Sequence, residues 1–340
     1  MRKESILSAV VLALLFASLS ATVYADTTVS VYIMNPFVSS NGAKGLSSGG
    51  YWAGEIPVKI TGSRPAHQTV AYCIDFDKLI YIGGTYPATL NPVADTTEWR
   101  AVSYLLTWDY PTTNNEAAID QVAIWRLLNA TRGTPYIRES WLDTTIDNAG
   151  SALAGTAYGK DVVRETDIFN WISPISSNGS TTTARPGDII TFTAQLKSSS
   201  NVPRANVRVL FSASLIVGGS KTPLDSTYVI PTMTHTNSEG KAQVTIKVPS
   251  DAPLGSSIEV KASTKSMWPQ QYIDVTDAST QDLIGIGETF ELTVSSNICI
   301  IGYIMVVPES PLGALTAIGA FGAAFALWTK FKLPKKKINA

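Results

Sequence analysis

Hydrophobic and polar positions alternate with a period of two through the second half of the chain. Ile190, Phe192, Ala194 and Leu196 fall on one face, followed by Val207, Val209 and Phe211, by Ala242, Val244, Ile246 and Val248, and by Ile258 and Val260. Polar residues fill most intervening positions, and Pro/Gly/Asn/Asp clusters separate the runs, which predicts the short strands of an all-β sandwich over residues 186–296. The first half is mixed. Residues 28–33, 56–60 and 69–74 read as strands. Trp99, Val102, Leu105 and Leu106, and then Ala118, Val122, Trp125 and Leu128, recur at helical spacing. The expected fold class is therefore an α+β domain over 26–172, a β-sandwich or barrel with inserted helices, then a polar, turn-rich linker over 173–185 and the sandwich.

The two ends are patterned differently. Met1-Arg2-Lys3 precede an apolar run from Ile6 to Leu19, and small residues lead to Ala25 before Asp26, the order of a secretory signal peptide over 1–25. Ser310 to Thr329 contains no charged residue and, as a helix, reaches about 30 Å, the thickness of a hydrocarbon core. Lys330, Lys332, Lys335, Lys336 and Lys337 follow. This pattern predicts one C-terminal transmembrane helix over 310–329, a membrane-proximal segment over 297–309 and a cytoplasmic basic tail over 330–340, with the bulk of the chain outside the cell.

Composition narrows the chemistry. The formal net charge of −1 gives no excess for holding a polyanion, so nucleic acid is not expected as a partner. The two histidines, His67 and His235, fall in different domains, which leaves no Cys-His or Ser-His arrangement and no zinc set. The glycines from Gly49 to Gly54 lack a phosphate-loop lysine, and Asp75 with Asp77 lacks the spacing of a calcium loop. No cofactor or metal is expected. Asn129-Ala130-Thr131 and Asn178-Gly179-Ser180 are glycosylation sequons, with Asn129 and Asn178 as the acceptors. The chain has two cysteines, Cys73 and Cys299. A disulfide is the default for an exported pair. It needs Cα atoms about 4.4–6.8 Å apart, a demanding condition for residues in two separate domains. Cys299 reads as a core or membrane-proximal thiol, in a run that is either a last strand or an interfacial segment.

Three stretches carry resemblances. Tyr72-Cys73-Ile74-Asp75, the helix Trp99 to Leu106 with Asp109-Tyr110-Pro111, and Asp120-Gln121-Val122-Ala123-Ile124-Trp125 together resemble the thioester domain of Gram-positive surface adhesins over most of residues 28–145. Pro186-Gly187-Asp188 and Thr236 to Ala242 resemble the bacterial immunoglobulin-like repeats of invasin-type proteins, over roughly 183–296. Val307 to Gly313, with the apolar span and lysines, resembles the C-terminal anchor of archaeal surface proteins; no LPxTG sorting signal is present.

The first resemblance implies a thioester-type domain in which the Cys73 sulfur and the Gln121 side-chain carbonyl form an internal cross-link, with Tyr72, Asp75 and Trp125 in support. Such a bond is an electrophile that an amine or a hydroxyl opens, releasing the thiol. It implies a cell-surface adhesin and a target protein or polysaccharide, with each molecule reacting once rather than turning over as an enzyme. The geometry is consistent with a first-turn helix glutamine packed across a strand cysteine, with Ile124, Trp125 and Leu128 excluding water. The alternative from the residues alone is a structural or noncovalent binding surface protein, in which Cys73 is a buried small hydrophobe. A hydrolase lacks any acid-base set.

Overall fold

The computed structural model describes residues 27–37, 43–48, 51–62, 67–75, 78–132, 140–174, 179–267, 271–277, 279–285 and 289–302. Strands β1 (Thr27–Ile33), β4 (Ile56–Gly62), β5 (His67–Cys73) and β6 (Thr85–Pro92) build most of a closed antiparallel barrel, and β2 (Gly45–Ser48) pairs with β3 (Tyr51–Gly54) beside it. Inward positions alternate, so Val29, Val31 and Ile33 of β1 face Val58 and Ile60 of β4 in one apolar cluster.

Three helices follow: α1 (Thr97–Trp108), α2 (Asn114–Arg132) and α3 (Thr144–Ala157). The local sequence dictates their starts. Thr96 accepts from the Trp99 backbone N–H, and Asp143 accepts from that of Thr145. Before α2, Thr113 and Glu116 form a reciprocal capping box, the Thr113 hydroxyl accepting from the Glu116 N–H and the Glu116 carboxylate from the Thr113 N–H. The predicted apolar spacing is realised: Ala118, Val122 and Trp125 of α2 pack on the barrel, while Ile124 and Leu128 pack with Trp99, Val102 and Leu105 of α1. On α3, a Cβ at Gly150 would lie 2.5 Å from a Val122 methyl and 3.0 Å from the Ile119 carbonyl, so the crossing of α2 and α3 needs glycine. Gly150→Ala is expected to cost about 1–3 kcal/mol through overpacking, read as a lowered denaturant midpoint.

The sandwich begins earlier than the linker suggests. One sheet orders β12 (Val229–Ile230), β14 (Lys241–Lys247), β9 (Ile189–Lys197) and β7 (Ile168–Ser173); the other orders β11 (Ser220–Pro223), β10 (Arg208–Val217), β15 (Ser257–Ser266), β18 (Phe290–Ile300) and β8 (Thr181–Ala184), with β13 (Met233–His235) against β10. Trp171 of β7 is fully buried between Phe192 and Phe211, at ring-centroid distances of 5.3 and 6.3 Å. Residues 168–172, assigned by pattern to the first domain, thus belong to the second.

The opposite exchange matters more for function. Between β15 and β18 the chain leaves the sandwich and forms β16 (Gln271–Val275) and β17 (Leu283–Gly285), which complete the barrel in the order β1-β4-β5-β17-β16-β6. Ile273, Val275 and Leu283 are almost fully enclosed in its core. The sandwich therefore donates a hairpin to the barrel, and the boundary at 173–185 separates stretches of sequence but not the two folded units. Their junction is polar and specific. The Asp167 carboxylate accepts from two nitrogens of Arg204 at 3.1 Å and from the backbone of Arg164 at 2.8 Å, while Arg208 lies over the Trp108 ring.

The expected fold class also requires correction at the C-terminus. The described chain is mostly β with three helices, and among the described residues no helix is long and apolar enough to cross a membrane. The expected membrane helix over 310–329 lies outside the described residues, as do the signal peptide over 1–25 and the basic tail over 330–340. Residues 297–300, in the run read as either a last strand or a membrane-proximal segment, end β18, where Ile298 and Ile300 point into the sandwich core and Cys299 points out.

Candidate functional site

Cys73 is the last residue of β5, where the strand runs between β4 and β17 and beneath α2. Alternation sends neighbouring side chains to opposite sides. Cys73 joins the barrel cluster, while Tyr72 is buried among the helices with Ile124 and Leu128. Gln121 lies about two turns into α2 rather than in its first turn. Its carboxamide reaches the cysteine backbone: Nε2 donates to the Cys73 carbonyl at 2.7 Å, and Oε1 accepts from the Cys73 N–H at 3.0 Å. Gln121 therefore treats Cys73 as an adjacent strand would, satisfying both of its main-chain groups.

The sulfur meets a different glutamine. Gln281, just ahead of β17, places Oε1 2.6 Å from Cys73 Sγ. That is closer than the about 2.7–2.8 Å usual between two hydrogen-bonded oxygens, although sulfur is the larger atom. Such crowding is natural for the sulfur and oxygen of one acyl thioester, where both are bonded to the same carbon. Gln281 Nε2 donates to the Asp75 carbonyl at 2.6 Å. Asp75 anchors the same segment a second time, its carboxylate accepting from the Asp282 N–H at 2.9 Å and pairing with Lys78 at 3.3 Å. The Ile74 N–H donates to the Asp282 carbonyl at 3.1 Å. The two antiparallel chains 73–75 and 281–283 are thereby fixed in register around the Cys73–Gln281 contact.

The structure thus brings the expected site residues together but redistributes their roles. Gln121 grips the backbone of the cysteine, and Gln281, which sequence reasoning missed, faces its thiol. Asp75 holds the Gln281 segment. Trp125 is buried and lines, with Cys73 and Gln281, a cavity of about 500 Å³. Tyr72 packs on the far side and does not reach the cavity. Among the described residues no cluster of His, Cys, Asp and Glu is arranged to hold a metal. Asn178 lies outside the described residues, and of Asn129 only the backbone, within α2, is described.

Burial, and secondarily the Asp75 charge, raises the Cys73 thiol well above its ordinary pKa, so the sulfur is held protonated. Beside Gln121, the carboxyl of Asp120 is pushed up to about 8, first by burial and then by the charges of Asp109 and Glu55. Its native pKa exceeds the unfolded value near 4, so between the two the folded chain holds a proton that the unfolded chain releases. Stability from this group is accordingly full at low pH and declines as pH rises toward 8. Asp120→Asn is expected to remove that decline, so that variant minus wild-type stability, measured by urea unfolding, grows by roughly 2 kcal/mol or more from pH 5 to pH 8. A difference independent of pH would place the titration elsewhere.

Among solved structures, the chain is similar to the Bacillus anthracis TIE protein, at 13% identity and a TM-score of 0.30 over 80% of this chain and 49% of that one. The thioester domain of the Staphylococcus aureus TIE protein matches at 12% identity and a TM-score of 0.31, over 82% of this chain and 99% of that one. A PapD-like domain of human CEP192 matches 42% of the chain at 12% identity and a TM-score of 0.21. The chain spans about half the length of the Bacillus anthracis protein. No family model and no curated protein matches. These likenesses are weak, and the functional reading rests on the geometry of Cys73, Gln121 and Gln281.

Proposed function

We propose that this chain is a cell-surface protein of adhesin type that attaches covalently to its target through an internal thioester joining Cys73 Sγ to the side-chain carbonyl carbon of Gln281. The observation that carries the reading is the 2.6 Å approach of Sγ to Gln281 Oε1, inside a site where Gln121 fixes the cysteine backbone. The sulfur forms a bond to the Gln281 carbonyl carbon, the carbon–nitrogen bond of the amide breaks, and the thiol proton leaves with the nitrogen as ammonia. No other reactant is needed.

The resulting acyl group is a better electrophile than an amide, since sulfur leaves more readily than nitrogen. A target amine or hydroxyl then bonds to the Gln281 carbonyl carbon, and Cys73 regains its proton as the free thiol. Each molecule reacts once. Cys73 and Trp125 are themselves buried and line the cavity through which a target would reach the bond. The apolar, signal-like N-terminal sequence supports export of the chain.

Intact mass spectrometry of the purified protein tests this. The expected mass is lower than the sequence mass by one ammonia, rises by one methylamine on treatment, and shows neither change in Cys73→Ala. Cys299, exposed on β18, serves as the control thiol that alkylates throughout. An unshifted mass together with an alkylatable Cys73 sinks the covalent reading and leaves a noncovalent surface-binding protein.

A further inference from the structure

The cavity above the reactive pair is lined by six aromatic rings, those of Phe37, Tyr51, Trp52, Tyr81, Trp125 and Trp141. Tyr51 and Trp141 are stacked with nearly parallel planes, at 13° and with centroids 6.1 Å apart, and Phe37 meets Trp52 edge-on at 5.2 Å. Three of these rings are unusually open for apolar groups: Phe37 is 54% exposed, Tyr51 51% and Tyr81 68%. A concave apolar surface left open in this way marks a ligand site. Among the described lining residues Lys78 is the one that is charged and none is a carboxylate, and the Lys78 ammonium is paired with Asp75.

We propose that this cavity binds an uncharged carbohydrate and that a sugar hydroxyl is the nucleophile delivered to the Cys73–Gln281 thioester; the inference rests on the thioester reading and adds the class of target. Aromatic faces are electron-rich, and the C–H groups of a pyranose ring stack on them without losing a hydration shell as costly as that of an ion. A lysine ammonium, by contrast, would lose its hydration shell with no carboxylate among the described lining residues to receive it.

The chemistry balances without a further reactant. The sugar oxygen bonds to the Gln281 carbonyl carbon, the carbon–sulfur bond breaks, and the hydroxyl proton passes to sulfur, giving an ester and the Cys73 thiol. The burial that raises the thiol makes the departing sulfur a strong acceptor for that proton.

The full chain is incubated with cellohexaose, with maltohexaose and, separately, with Nα-acetyl-lysine at equal concentration, with methylamine in parallel, and each is followed by intact mass. The expected result is an oligosaccharide adduct that forms at least tenfold faster than the lysine adduct and is cleaved by hydroxylamine, as an ester is. Faster capture of lysine, or oligosaccharide that never adds while methylamine does, overturns the proposal and leaves the thioester intact. Absence of any ammonia loss or methylamine adduct is the distinct failure of the thioester reading. Binding without the bond is measured by tryptophan fluorescence of Cys73→Ala. Saturable quenching by one of the two oligosaccharides, weakened at least tenfold by adding either Tyr51→Ala or Trp141→Ala, supports the site; no quenching by either overturns it.

Discussion

Gln281→Ala is expected to abolish the ammonia loss and the methylamine adduct completely, because it removes the acyl carbon itself. Gln121→Ala is expected to act differently. It leaves the acyl carbon in place but strips partners from the buried N–H and C=O of Cys73, at about 1–3 kcal/mol for each group left unsatisfied. The cross-link should then form in lower yield, still onto Gln281. Peptide mapping after digestion separates the two roles, since the cross-linked fragment contains residue 281 in one case and residue 121 in the other. A fragment joining Cys73 to residue 121 would overturn the assignment. The bond also closes a span of 208 positions, which by analogy with disulfides stabilises the fold by up to about 5 kcal/mol. Opening it with methylamine should therefore lower the denaturant midpoint of the wild type and leave that of Gln281→Ala unchanged.

A chain truncated after residue 172 should fail to fold. Read from the sequence it is a complete first domain, but it lacks β16 and β17, two of the six barrel strands. Without them β5 and β6 present unpaired edges, and Ile33, Val58 and Ala88 lose the cover of Ile273, Val275 and Leu283. The hydrophobic loss alone, at about 1.5–3 kcal/mol for each large side chain, removes much of the about 5–15 kcal/mol by which an ordinary domain is stable. The expected observation is an aggregated or protease-sensitive product without cooperative unfolding. A soluble, cooperatively folding 26–172 chain would contradict the interlocked topology.

The same hairpin explains which features were legible in the sequence. Periodicity identified β1, β4, β5, α1 and α2 because each buries one face through its own residues, as the alternation of Val29, Val31 and Ile33 and the spacing of Ala118, Val122 and Trp125 make plain. The pairing of Cys73 and Gln121 in one site came instead from the resemblance of their two segments to a thioester domain. Gln281 carries no such mark. It stands before a three-residue strand, in a stretch whose neighbours on both sides are sandwich strands, and its partner is 208 positions away. Only the pairing of β17 with β5, a long-range choice made by the whole barrel, brings the two together. Trp171 was misplaced for a related reason: a strand next to a turn-rich segment does not declare which sheet it will join.

The route from the reactive glutamine to the sandwich has a mechanical consequence. Under the proposed capture the target is bonded to Gln281, and Cys73, as a free thiol, no longer ties β5 to the hairpin. Gln281 is joined through β17 to β18, which a ten-residue register holds against β15. The strands β1, β4, β5 and β6 lie off that covalent path, so under the proposed chemistry loosening the barrel leaves the captured target attached to the sandwich.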